Sequence, residues 1–147
     1  MNRMPFEKYR PFPPVQMAAV TGLCRDILAR HPIAPDRVVG HSDIAPERKA
    51  DPGELFEWDK LAEAGIGLWP RPASSGARRA PDAAAVRADL ASIGYCPGQN
   101  EAAVMAAFQR RFRPRLCDGV LDAETAERAS QVADAYAERR SLRAVGR

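Results

Sequence analysis

The sequence predicts an α/β segment followed by an all-α three-helix bundle. One stretch, 15–30, has apolar residues at helical spacing, and a single short apolar run, 37–40, reads as a strand. Amphipathic helical patterns then fill the chain after residue 82. Because one strand cannot make a sheet, the first segment is expected to consist of one strand with flanking helices and an incomplete sheet.

The N-terminal elements follow from apolar periodicity and proline positions. Residues 11–14 are proline-rich and predict a stiff, extended lead-in to the first helix, which Pro32 and Pro35 stop. Residues 59–64 predict a short helix. Aromatic residues that bracket such a helix more often cover the core than stack on sugars, and both interpretations remain open for Trp58 and Trp69.

Composition then changes, which indicates a domain boundary. Residues 71–81 are rich in small, polar and proline residues and predict an exposed linker between a first domain, 1–70, and a second, 82–137. In the second domain Asp82 and Asp122 are expected to cap the first and third helices. The middle helix carries its apolar face on Val104, Met105, Phe108 and Phe112.

Composition and charge exclude several classes of protein. The 147 residues are 46% hydrophobic and 28% charged with a net charge of +3, and the mixed charges do not favour a nucleic-acid partner. No apolar run is long enough for a membrane span, and the first residues lack the apolar core of a secretory signal. As written, the chain is expected in the cytoplasm. The sequence leaves open whether Cys96 and Cys117 pair, and a reducing cytoplasm disfavours it.

The candidate functional residues lie in the stretch 38–53, which places His41, Lys49 and Asp51 at fixed spacing on a loop that contains proline. Neutral imidazole and carboxylate are zinc ligands, although a catalytic zinc site needs three protein ligands and an open position. A lysine beside them provides a cation for a developing oxyanion. The plain alternative is that the histidine and the aspartate form a satisfied polar pair on a loop.

This stretch resembles a known family. Gly40-His41-Ser42-Asp43-Ile44-Ala45-Pro46, Arg48-Lys49, Asp51-Pro52-Gly53, Phe56 and Trp58 are similar to the second half of zinc-dependent N-acetylmuramoyl-L-alanine amidases of the Amidase_2 type, over about residues 13–70. The resemblance implies that His41 and Asp51 are zinc ligands and that Lys49 stabilises the oxyanion. The family's first zinc histidine and catalytic glutamate would lie upstream, so we expect an N-terminally truncated amidase, inactive alone, that binds zinc weakly. His31 is interpreted as a helix C-terminal residue.

The second domain has a resemblance of its own. Ala107-Phe108-Gln109-Arg110-Arg111-Phe112-Arg113-Pro114, Asp118-Gly119 and Asp122-Ala123-Glu124-Thr125 are similar to the peptidoglycan-binding domain of the PGB_1 type, over about residues 80–133. The resemblance implies peptidoglycan or muropeptides as partners. From the residues alone, the two phenylalanines are expected in the core, Asp118-Gly119 in a turn, and Gln109 and the arginines on the solvated surface.

Two functions therefore compete. The chain is either part of an amidase that cleaves the amide between N-acetylmuramic acid and L-alanine, with the missing half supplied elsewhere, or a non-catalytic peptidoglycan-binding remnant. The sequence does not distinguish muropeptides from the intact wall as substrate, and it does not set the oligomeric state.

Overall fold

The computed structural model describes residues 9–70 and 80–146. Regular structure in these two ranges is helical: a 3-10 helix at Pro35–Arg37 lies among α1 (Pro14–Arg30), α2 (His41–Ile44), α3 (Trp58–Glu63), α4 (Ala83–Ile93), α5 (Glu101–Phe112) and α6 (Ala123–Val145). None of the helices within these ranges is long and apolar enough to cross a membrane.

The predicted strand, and with it the α/β fold class, is wrong, because the described ranges contain no strand. Arg37 ends the 3-10 helix, and Val38 and Gly40 have extended backbone without a partner strand. Extended residues become a strand only when a neighbouring strand accepts and donates their ladder hydrogen bonds. Here the carbonyl of Val38 accepts a hydrogen bond from the Arg111 guanidinium at 3.0 Å instead.

The predicted first helix is present as α1. Proline at its first turn costs no hydrogen bond, since the N–H groups there have no helical partner. Its inner face contributes Met17 to a small core with Trp58 and Leu61 of α3 and with Ile66. His31 is the C-cap residue, and its N–H donates to the carbonyl of Ile27, which is the helix-terminal position that the sequence indicated.

The three helices expected after residue 82 are also present, and their N-termini are capped as predicted. The Asp82 carboxylate accepts hydrogen bonds from the N–H groups of Ala84 and Ala85, and the Asp122 carboxylate accepts one from Thr125. An asparagine, Asn100, caps α5 in the same way. These caps satisfy donors that the helices leave free at their first turns.

The helical core is closed by residues from the first half of the chain. Its members come mainly from α4, α5 and α6, and Leu68 is buried among them while Trp69 packs against them. The Trp69 ring also lies under the Arg128 guanidinium, at 4.8 Å from its centroid. Most of the predicted linker lies outside the described residues, so the domain boundaries stay a prediction.

Three residues expected on the solvated surface, Gln109, Arg111 and Arg113, are buried. Gln109 is fully enclosed: its amide group donates to the Val120 carbonyl at 2.9 Å and accepts from the Gly119 N–H at 2.8 Å. Arg111 is 3% exposed and faces the first half of the chain. That interpretation was wrong because a polar residue on the inner face of α5 can be buried once a loop or a carboxylate satisfies its hydrogen bonds. Phe108 and Phe112 are in the core, as predicted.

Candidate metal centre

The centre begins where α2 starts. His41 is the first residue of this four-residue helix, and its carbonyl accepts the Ala45 N–H at 3.0 Å. One residue earlier, the N–H of Gly40 donates to the Asp43 carboxylate at 2.7 Å. That bond satisfies a donor just before the helix, so the backbone that carries His41 is held on both sides.

The chain then turns back to bring Asp51 to the same place. The Ser42 N–H donates to the carbonyl of Asp51 at 3.0 Å, and the peptide bond between Asp51 and Pro52 is cis. His41 Nδ1 and Asp51 Oδ2 are 3.2 Å apart. Their side chains are 51% and 63% exposed, which leaves the pair open to solvent. The structure thus brings together the two predicted zinc ligands.

This donor set fits a zinc ion. Two ligand atoms at about 2.0–2.2 Å from a tetrahedral zinc ion lie about 3.4 Å from each other, close to the observed 3.2 Å. A neutral imidazole and a carboxylate are both common zinc ligands. The same separation also fits a hydrogen bond in which Nδ1–H donates to the carboxylate, as in the polar-pair alternative.

A third ligand is not found nearby in the part of the chain that is described. No group of three or more histidine, cysteine or acidic side chains in 9–70 and 80–146 is arranged to hold a metal ion. Lys49 follows the turn after α2, is exposed, and donates its backbone N–H to the Ala45 carbonyl at 2.9 Å. The three cysteines are free thiols.

Gly40 is required by the packing under the centre. A Cβ atom on this residue would lie 2.9 Å from Pro52 Cδ and 3.2 Å from Trp58 Cζ2. Real Cβ atoms essentially never come within 3.0 Å of another atom, so a larger residue would push apart the two chain segments that carry His41 and Asp51. Trp58 itself is buried, which favours the core interpretation over a sugar platform.

A buried polar network under α2 was not predicted from the sequence. Asp43 accepts from Arg111 Nη1 on Oδ2 and from the Tyr95 hydroxyl on Oδ1, both at 2.7 Å. Its side chain is 8% exposed and that of Arg111 is 2% exposed. The Arg111 guanidinium also stacks over the Trp58 ring, 4.1 Å from its centroid. The sequence shows an acidic residue, Asp43, in the first motif and several arginines in the second. It does not indicate which arginine contacts Asp43.

Burial raises the pKa of Tyr95 well above its ordinary value, and the negative charge of Asp43 raises it further. The phenol is therefore neutral over the physiological range and remains a hydrogen-bond donor to the carboxylate.

The helical segment also carries an open groove. Its volume is about 640 Å³, and it lies between α4 and α5. The walls are mainly apolar, and the lining residues include Leu90, Val104 and Met105 as well as the exposed ion pair of Arg87 and Glu101. A groove of this size and character is suited to a small ligand.

Comparison with known proteins indicates the class to which this site is related. A family model described as N-acetylmuramoyl-L-alanine amidase matches residues 2–54, the segment that contains His41, Lys49 and Asp51. Among curated proteins, N-acetylmuramoyl-L-alanine amidase AmiD of Escherichia coli is 42% identical over 140 residues, which are 87% of this chain and 51% of AmiD. The 1,6-anhydro-N-acetylmuramyl-L-alanine amidase AmpD of Enterobacter cloacae is 40% identical over 51 residues, 35% of this chain and 27% of AmpD.

Solved structures agree with the sequence matches. AmiD from E. coli, in complex with anhydro-N-acetylmuramic acid-L-Ala-D-γ-Glu-L-Lys, superposes with a TM-score of 0.73 at 41% identity, covering 84% of this chain and 53% of that one. AmpDh3 from Pseudomonas aeruginosa gives a TM-score of 0.81 at 35% identity, covering 88% and 56%. The chain spans about half the length of these proteins. The matches support an N-acetylmuramoyl-L-alanine amidase, and with AmiD and AmpDh3 they extend over most of this chain.

Proposed function

We propose that this chain forms part of an N-acetylmuramoyl-L-alanine amidase that acts on muropeptides and holds zinc through His41 and Asp51. The observation that carries the proposal is the 3.2 Å separation of His41 Nδ1 and Asp51 Oδ2, in the segment that the amidase family model matches. Support for a muropeptide as substrate comes from the structures of AmiD and AmpDh3, whose bound molecules are an anhydromuramyl tripeptide and an anhydromuramic pentapeptide, respectively.

The chemistry would be divided among the residues of the loop. When bound, zinc supplies a Lewis acid that activates water and polarises the scissile carbonyl. His41 and Asp51 would hold the ion and fix its place relative to the loop. Lys49, which is exposed on the same loop, would stabilise negative charge on the carbonyl oxygen of the amide.

The test is zinc binding by the full chain, measured by calorimetry. His41→Ala and Asp51→Ala should each remove most of the binding, because a zinc ion held by two protein side chains cannot lose one without a large loss of affinity. His31→Ala is the matched control, since His31 is exposed at the end of α1 and should have no effect. Equal loss in all three variants, or binding that survives His41→Ala, would contradict the proposed centre.

Substrate binding is tested separately. With zinc present, an anhydromuramyl tripeptide should bind to the full chain, and His41→Ala, which removes a zinc ligand, should weaken that binding, while Lys60→Ala, on α3, should not. Zinc binding without any muropeptide binding would support the metal centre and contradict the proposal that muropeptides are the substrate.

We also propose that the segment from α4 to α6 binds peptidoglycan through the groove between α4 and α5, in line with its resemblance to the PGB_1 type. The groove of about 640 Å³ supports this. Ala88→Trp, which fills the groove, should reduce sedimentation of the full chain with peptidoglycan, whereas Ala144→Trp, exposed near the end of α6, should not. Equal sedimentation of the two variants would reject the groove as the binding site.

A further inference from the structure

We propose that Arg111, together with Tyr95, is a positioning residue of the metal centre and acts through Asp43 on the backbone that carries His41 and meets Asp51. This inference rests on the proposed function, because the centre that is positioned is the one proposed to hold zinc. It also gives the helices of the second half a role beyond binding peptidoglycan.

The first step is that α2 cannot determine its own shape. A helix of four residues contains about one turn, and a first turn is unfavourable in isolation because several dihedral angles are fixed for one hydrogen bond. Its conformation must therefore be imposed by tertiary contacts. Asp43, the third residue of the helix, is where these contacts converge.

The second step is the set of bonds around the Asp43 carboxylate. Oδ2 accepts the Gly40 N–H and one Arg111 N–H, and Oδ1 accepts the Tyr95 hydroxyl, each at 2.7 Å. A second Arg111 N–H donates to the Val38 carbonyl at 3.0 Å. The Arg111 guanidinium therefore contacts the chain at Val38, before α2, and at Asp43, inside it. These two residues flank Gly40 and His41.

The third step connects this network to the second ligand. The Ser42 N–H, between His41 and Asp43, donates to the Asp51 carbonyl at 3.0 Å. Any change in the direction of α2 would therefore move the Asp51 backbone as well as the His41 side chain. Since both proposed ligands are attached to the same held segment, their 3.2 Å separation depends on it.

Burial makes the network stiff. The Asp43 and Arg111 side chains are almost inaccessible to water, and the stacked Trp58 ring covers one face of the guanidinium. In such surroundings charged hydrogen bonds are strong, and loss of one partner leaves the other charge uncompensated. Residues that orient metal ligands in this way typically change metal affinity by about 10- to 100-fold when replaced.

The test compares two buried arginines in the full chain. Arg111→Met keeps the apolar stem and removes the charge and the donors, and Arg111→Lys restores the charge and one donor. Arg113→Met is the matched control: Arg113 follows α5, is also buried, and pairs with Asp122 and Glu124 instead. Two readouts are followed, amide hydrogen exchange at Ser42 by NMR and zinc affinity by calorimetry.

We expect Arg111→Met to accelerate Ser42 exchange by at least about tenfold, the effect of losing one hydrogen bond to a charged group. Zinc affinity should fall by about 10- to 100-fold, and Arg111→Lys should recover part of both. Arg113→Met should lower the melting temperature without changing either readout. Tyr95→Phe, which removes a single hydroxyl, should shift both readouts in the same direction by less, and it remains informative if Arg111→Met does not fold.

The inference is overturned if Arg113→Met changes Ser42 exchange as much as Arg111→Met does, or if neither Arg111→Met nor Tyr95→Phe changes it. Zinc affinity that is normal in every Arg111 and Tyr95 variant would also overturn it, while leaving the proposed zinc centre intact. Conversely, if the unmodified chain binds no zinc but Ser42 exchange responds as expected, the positioning of His41 and Asp51 stands and the proposed function fails.

Discussion

Asp43 and Arg111, 68 residues apart in sequence, form a 2.7 Å ion pair in which both side chains are nearly inaccessible to solvent. Asp43 belongs to the segment that carries the proposed zinc ligands, and Arg111 belongs to α5. The two halves of the chain are therefore connected by a buried charge pair as well as by the packing of Leu68 and Trp69.

Removing the acidic partner should destabilise the protein strongly. Asp43→Ala leaves the Arg111 charge buried without a carboxylate, and such a change typically costs about 3–5 kcal/mol. Glu101→Ala breaks the exposed pair with Arg87 and should cost less than about 1 kcal/mol. Urea unfolding of the two variants at neutral pH measures the difference. Similar losses in both would mean that the buried pair contributes no more than a surface one.

Gly40 should not tolerate a side chain. Gly40→Ala puts a Cβ atom within 2.9 Å of Pro52 and should reduce the free energy of unfolding by about 1–3 kcal/mol. Gly22→Ala is the control, because nothing lies within 4 Å of its Cβ position in α1 and alanine is the better helix former by about 0.5–1 kcal/mol. Thermal unfolding should show opposite signs for the two changes, and a stabilising Gly40→Ala would show that the packing there is looser than the 2.9 Å distance to Pro52 indicates.

Gln109 should contribute to the stability of the fold and not to peptidoglycan binding. Gln109→Leu leaves the Gly119 N–H and the Val120 carbonyl without their partner, and each unsatisfied buried group costs about 1–3 kcal/mol. Gln16→Leu, on the exposed face of α1, should stay within about 0.5 kcal/mol of the original protein. Denaturant unfolding tests this, and peptidoglycan sedimentation of folded Gln109→Leu should be unchanged.

Tyr95 should make the protein sensitive to alkali. Because burial and Asp43 raise its pKa in the folded state above the unfolded value of 10.0, its contribution to stability is complete below about pH 10 and is lost as pH rises towards the folded pKa. Tyr95→Phe should therefore flatten the fall in unfolding free energy between pH 8 and 11, measured in urea against the unmodified chain under the same conditions. Curves that fall in parallel would show that Tyr95 ionises in the folded protein as it does when unfolded.

Much of the helical structure was predictable from local sequence. The caps at Asp82 and Asp122, the end of α1 before Pro32, and the apolar pair Phe108 and Phe112 each depend on residues within a few positions of one another. Local hydrogen bonds and helical periodicity are short-range, so a single sequence contains them. The strand at 37–40 was wrong for the complementary reason, since a strand requires a distant partner that local apolar character does not specify.

The candidate metal centre was likewise predictable only in part from the sequence. The sequence by itself determined that a histidine, a lysine and an aspartate stand ten residues or fewer apart on a loop with Pro-Gly, and that their types suit zinc and an oxyanion. Only the tertiary structure decided that His41 Nδ1 and Asp51 Oδ2 lie 3.2 Å apart. It also decided that Arg111 and Tyr95 donate hydrogen bonds to the Asp43 carboxylate. The physical reason lies in contacts between distant residues. The Ser42 N–H closes the loop by donating to the Asp51 carbonyl, and the Arg111 guanidinium fixes α2 by pairing with Asp43. Contacts between residues so far apart in the chain leave no periodic signal in the sequence.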